Sequence, residues 1–142
     1  MSKIALITGA TAGSGEATAF KLAEEGFALI ITGRREARLL QLKNKLEQRN
    51  VRMLSLCFDV RDESAVKQAL STLPEAWQEI DILANNAGLA AGLSSLQEGD
   101  SDDWNRMIDT NVKGLLNVTG ALTPGMVVMP TAQATATLVH KV

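Results

Sequence analysis

The 142-residue sequence contains no tyrosine. Any reaction that needs a phenol as its acid or base is therefore closed to this chain by itself. A single cysteine excludes an internal disulfide, and no Cys/His cluster offers a structural zinc site. Charge of one sign is also scarce, because 14 basic and 16 acidic side chains leave a net charge of −2. Without a basic excess or a basic tract, neither nucleic acid nor an anionic membrane is an expected partner. The apolar run near the N-terminus covers only residues 4–7, far short of the roughly 20 residues that span a bilayer. No small-residue cleavage site follows a longer apolar stretch. The expectation is a cytoplasmic protein with no metal.

What is present fits one globular domain. Hydrophobic residues make up 46% and charged residues 21%, and a chain of this size buries roughly two thirds of its unfolded surface. Short aliphatic runs alternate with amphipathic stretches. Strands are expected over residues 3–8, 27–32, 51–58 and 80–85. Between them, residues 14–25 place Gly15, Ala19, Leu22, Ala23 and Gly26 on one helical face. Residues 36–50 align Leu39, Leu42 and Leu46. Asp62 caps a helix carrying Val66, Ala69, Leu70 and Leu73. After a loop over residues 88–100, Ser101 is placed to cap a long helix ending near Leu122. Its apolar face would hold Trp104, Met107, Ile108, Asn111 and Leu115, and Trp77 and Trp104 read as helix anchors. Cys57 falls in the third strand and reads as an inert core residue. His140 is assigned no role.

The order βαβαβαβα, with strands that are apolar throughout, predicts an α/β fold built on a parallel, doubly wound Rossmann-type sheet. Four strands are clear. Residues 127–142 diverge from the pattern of residues 1–126, and residues 134–139 are open between a fifth strand and a frayed tail.

Between the first strand and first helix stands Thr8-Gly9-Ala10-Thr11-Ala12-Gly13-Ser14-Gly15. Gly9 permits a tight exit from the strand. Gly13 lets backbone approach a ligand, and Gly15 lets the helix lie close to the sheet. The helix N-terminus then faces an anion such as a pyrophosphate. A Gly-rich turn without a ligand is the plain alternative.

With Asn85-Asn86-Ala87-Gly88 after the fourth strand, Asp59-Val60 after the third, and Asn111-Val112-Lys113-Gly114, this loop resembles the motifs of the short-chain dehydrogenases/reductases. The wording is most similar to the NADP-dependent 3-hydroxy acid dehydrogenase branch. The resemblance covers roughly residues 1–126. It implies an oxidoreductase acting on a hydroxyl or carbonyl substrate. It also implies dinucleotide contacts from residues 9–15, Asp59, Val60, Asn86, Ala87 and Gly88, with Asp59 meeting the adenine. Asn111 matches the active-site Asn; a structural amide bonded to backbone near the fourth strand is the alternative. Asp59 could also be a turn residue. The second strand ends in Thr32-Gly33-Arg34-Arg35 where NAD-binding relatives carry a carboxylate. Arg34 and Arg35 suit a 2′-phosphate, so the implied cofactor is NADP(H). Otherwise they are the polar start of a surface helix.

The family's chemistry uses Ser, Tyr and Lys further along, with YxxxK spacing. Here the last Ser is Ser101 and the only Lys after Lys113 is Lys141. The expectation is a truncated product, catalytically incompetent alone. It would survive as an NADP(H)-binding module without turnover or as a non-functional fragment, and association into oligomers remains open.

Overall fold

The computed structural model describes residues 2–11, 13–89, 91 and 94–128. Strands β1 (Ile4–Ile7), β2 (Ala28–Gly33), β3 (Met53–Cys57) and β4 (Ile82–Ala84) alternate with helices. These are α1 (Gly13–Glu24), α2 (Glu36–Glu47), α3 (Glu63–Ser71), α4 (Ser101–Ile108) and α5 (Gly114–Val128). All strand pairs are parallel, in the order β3-β2-β1-β4. The fold is Rossmann-type α/β, as the sequence pattern predicts. The suggested fifth strand over residues 134–139 and the tail from residue 129 lie outside the described residues.

Strand alternation divides the core in two. Ile4, Leu6, Ala28, Ile30 and Leu83 face one side, with Val66 of α3 and Val118, Leu122 and Met126 of α5. Ala5, Ile7, Leu29, Ile31 and Ala84 face the other, with Ala19 of α1 and Leu39, Leu42 and Leu46 of α2. Covering both faces is why these strands read as unbroken apolar runs.

The element ends differ from expectation for local reasons. Helix α2 stops at Glu47, not residue 50, because Asn50 adopts φ 58° and donates to the Glu47 carbonyl at 2.9 Å. Asn is among the few side chains that accept this conformation. Asp62 caps α3 as expected, accepting from the Ala65 N–H at 3.1 Å. Asp100, not Ser101, caps α4; its carboxylate accepts from the Asp102 N–H at 2.8 Å. The two adjacent residues are both competent caps, and the carboxylate takes the position.

The long helix is not continuous. A π-helical segment, Asp109–Lys113, separates α4 from α5. Helix α5 then runs past Leu122 to Val128 with Pro124 inside it. Thr123 Oγ1 donates to the Thr119 carbonyl at 2.6 Å beside that proline. Of the face expected inward, Trp104 (38% exposed), Ile108 (50%) and Asn111 are exposed, while Met107 and Leu115 are partly buried; beside that face, Val112 and Leu116 are 52% and 60% exposed. Trp104 lies over Gly99 and so anchors the helix only in part, whereas Trp77 is buried with Arg52 stacked 4.2 Å from its ring centre. Cys57 is exposed, correcting the core assignment, because it ends β3 at the sheet edge.

Candidate functional site

Strand β1 pairs with β2 on one side and with β4 on the other, although three crossovers separate β1 from β4 in sequence. Loops leaving the strand ends at such a reversal diverge and open a crevice. The loop after β1 and the loop after β4 are nevertheless stitched together at their base. Thr8 Oγ1 accepts from the Asn86 and Ala87 N–H groups, each at 3.0 Å. Asn86 Nδ2 donates to the Gly9 carbonyl at 3.1 Å, and Ser14 Oγ donates to Asn86 Oδ1 at 3.1 Å. The glycine loop and the Asn-Asn-Ala-Gly segment therefore form one hydrogen-bonded unit.

Three glycines explain the spacing. Gly9 has φ +59°, and a Cβ there would lie 2.7 Å from Ala87 Cα. Gly13 has φ +56°, and a Cβ added to it would meet nothing within 4 Å, so its backbone borders open space. Gly15 has the packing role its place in the motif suggests, since a Cβ there would press on the Gly9 carbonyl and the Asn86 amide.

A cavity of about 330 Å³ opens at the C-terminal ends of the strands. Gly9, Thr11, Gly13 and Ser14 line it from the glycine loop. Arg34 and Arg35 line it after β2, Asp59 and Val60 after β3, and Asn86, Ala87 and Gly88 after β4. Among the expected residues, Ala10 and Gly15 do not line it; Ala10 is buried and donates to the Thr32 carbonyl at 3.1 Å. Ala12 lies outside the described residues. Thr32, Gly33, Arg38, Phe58, Leu89 and Thr110 also line the cavity, beyond the residues that the motifs indicate. Arg38 has a legible signal, since it stands one helical turn beyond Arg34.

The charges here are ordered. Arg61 Nε donates to both oxygens of Asp59 at 3.1 Å, and its Nη2 donates to Oδ2 at 2.6 Å. The Arg61 hydrogen bonds hold the Asp59 carboxyl below the usual carboxylate range against the opposing effect of burial, and the nearby Arg34 charge adds to the lowering. Asp59 is thus an ionised acceptor at the cavity wall. Two buried hydroxyls, Thr32 Oγ1 and Thr110 Oγ1, have no hydrogen-bond partner among the described residues, and both residues line this cavity. Unpaired buried hydroxyls are costly and mark places where a ligand or water completes the bonding.

Helical spacing predicts a buried face for Asn111, and the structure corrects this. The residue is exposed, at the centre of the π-helical segment. Its Nδ2 donates to the Leu89 carbonyl at 2.9 Å and its Oδ1 accepts from the Leu89 N–H at 2.8 Å. It clips the loop after β4 to the helix rather than lining the cavity.

The profile of the short chain dehydrogenase family matches residues 3–139. The chain belongs to the short-chain dehydrogenases. Sulfoacetaldehyde reductase 2 of Chromohalobacter salexigens is 51% identical over 127 residues, covering 89% of this chain and 50% of that relative. The NADP-dependent 3-hydroxy acid dehydrogenase of Escherichia coli K12 is 47% identical, covering 87% and 49%. The crystal structure of serine dehydrogenase from Escherichia coli, 47% identical, superposes with a TM-score of 0.80 over 87% of this chain and 56% of that one. The chain spans about half the length of the curated relatives it matches. Within this short-chain dehydrogenase, the cavity lies among the residues whose motifs carry the family resemblance. No helix among the described residues is long and apolar enough to cross a membrane.

Proposed function

We propose that this chain is the NADP(H)-binding portion of an oxidoreductase that interconverts a hydroxyl and a carbonyl on a small acid, a 3-hydroxy acid being the first candidate. The observation that carries the reading is the single cavity wall that joins an open glycine backbone to two arginines at the end of β2. The residues present fit the cofactor. Gly13 leaves room for backbone to meet a pyrophosphate, the α1 N-terminus adds its positive end, and Asp59 can accept from an adenine amine. Arg34 and Arg35 suit a 2′-phosphate. The cavity volume sits at the lower end of the range for ligand pockets, about 300–1,000 Å³, which suits the adenosine half of a dinucleotide.

When bound, NADP(H) supplies or accepts the hydride. The part played by these residues is to hold and orient. Thr8, Ser14 and Asn86 fix the two loops that face each other across the crevice. Asn111 fixes the loop after β4 through Leu89. Relatives named for NADP, for 3-hydroxy acids and for sulfoacetaldehyde support both the cofactor and the substrate class. With no tyrosine, the 142-residue chain alone binds without turnover. The proposed setting is the cytoplasm, and self-association through the exposed face of α4 and α5 fits its apolar surface.

Calorimetric titration with NADPH, with NADH as control, tests the reading. Saturable binding that favours NADPH is expected, and a folded chain that binds neither nucleotide refutes it. Hydride transfer to any hydroxy acid by the pure chain would overturn the claim of binding without turnover.

A further inference from the structure

The sequence has seven arginines, and their engagements separate them into two groups. Arg61 is bound to Asp59 and Arg106 to Asp103. Arg49 stacks 4.7 Å from the centre of the Phe20 ring, and Arg52 stacks on Trp77 while donating to the Ala76 carbonyl at 2.9 Å. Arg34, Arg35 and Arg38 have no ion pair, hydrogen bond or ring partner of this kind among the described residues. All three line the cavity. The uncommitted guanidinium groups of the molecule are thus gathered at one place, the exit of β2.

Arg38 is the member that needs explaining. It is the third residue of α2, where the positive end of the helix disfavours a cation. No side chain caps this helix at Arg35, so its first turn has no local acceptor from that position. A carboxylate that shares a smaller hollow with Arg38, Glu16, already faces Lys45 at 3.5 Å. Beside the arginines, Thr32 is 1% exposed and its hydroxyl has no partner. A doubly charged oxyanion would answer all of these at once: the crowded cations, the open helix end and the unsatisfied hydroxyl.

We infer that Arg38 is a third phosphate-binding residue, which with Arg34 and Arg35 surrounds a phosphomonoester on the ribose and sets the preference for NADP(H) over NAD(H). This rests on the NADP(H) reading above and extends it to a residue one turn into α2. The three positions have distinct geometry. Arg34 and Arg35 leave the strand end as neighbours, so their side chains diverge, while Arg38 returns to the same side from the helix. A phosphate has three terminal oxygens, and guanidinium groups can engage them in pairs.

The test is calorimetric titration of the full chain with NADP+ and with NAD+, in the parent and in Arg38→Gln, Arg38→Lys and the Arg34→Gln/Arg35→Gln double variant. Glutamine and lysine are near-equal to arginine as helix formers, and far-ultraviolet circular dichroism checks that each variant is folded. Arg38→Gln is expected to weaken NADP+ binding by about tenfold or more, the scale of one lost charge-assisted bond, and to leave NAD+ within about twofold. Arg38→Lys should fall between. NADP+ affinity unchanged in Arg38→Gln, or equal weakening of both nucleotides, overturns the role of Arg38. If Arg34→Gln/Arg35→Gln alone removes the preference, the NADP(H) reading stands and this extension fails. If the folded parent binds neither nucleotide, or shows no preference, both fail.

Discussion

Replacing Gly9 with alanine perturbs two things that the structure separates from each other. The first is backbone conformation, since φ is +59° and an L-residue there costs about 1–2 kcal/mol. The second is contact. The added methyl would sit 2.7 Å from Ala87 Cα and 2.9 Å from Ala87 N, and both are main-chain atoms that cannot rotate away. Forced overpacking of this kind costs about 1–3 kcal/mol. Moving Ala87 also strains the bonds from the Asn86 and Ala87 N–H groups to Thr8. The total is about 2–5 kcal/mol, a large part of a stability of about 5–15 kcal/mol. Gly13→Ala is the matched control. Its φ is +56° with nothing within 4 Å, so it should cost only the conformational part, about 1–2 kcal/mol, while obstructing nucleotide. Urea titration with linear extrapolation measures both. If Gly9→Ala is no more destabilising than Gly13→Ala, the close approach of the two loops is not what fixes a glycine at position 9.

Asn111→Ala should lower stability by about 1–2 kcal/mol, through loss of both bonds to Leu89. Amide exchange at Leu89 should accelerate, and unchanged exchange there would contradict the clip. Arg61→Gln should destabilise slightly at neutral pH, by about 0–1 kcal/mol as for other partly exposed pairs. Because Arg61 holds the folded Asp59 carboxyl low, that contribution is complete above the unfolded value of about 3.9. It fades as pH falls through the lower folded value, so the variant and parent should converge in acid; a difference constant from pH 7 to pH 3 refutes the pairing. Ile108→Glu, in the middle of the exposed stripe of Trp104, Ile108, Val112 and Leu116, should reduce self-association in sedimentation velocity without loss of helix. Equal sedimentation of parent and variant would show that this face is not a contact surface.

The sheet is legible in the sequence because both its faces are covered, so its strands are apolar without interruption and the helical spacing between them is regular. Leu39, Leu42 and Leu46 are readable as a buried face for the same reason. The segment from Ser101 onward is not. Its apolar positions repeat as those of a buried helix do, yet periodicity states only that a face is apolar, not which surface meets it. Here one side of α5 packs on α3 while the stripe through Ile108 and Val112 meets solvent. The π-helical segment at Asp109–Lys113 is not marked by residue type, because Asp, Thr, Asn, Val and Lys all occur in regular helices. Gly114 gives the nearest sign: a Cβ there would lie 2.6 Å from Val60 Cγ2, so the helix must pass close to the end of β3. At the site, the motif glycines and asparagines are readable from the chain. Thr32 and Thr110 are not, and Arg38 is so only through its spacing from Arg34, since a common residue type gains meaning from what fails to pair with it.

Cys57 is the only thiol in the sequence and it is exposed at the end of β3. The next three residues, Phe58, Asp59 and Val60, line the cavity. A thiol-reactive fluorophore will therefore attach at one defined point, with no residue added or removed. That point is one residue from the cavity wall, so the dye's emission can report nucleotide occupancy directly. The chain arrives with an optical reporter position already installed beside the site it would monitor.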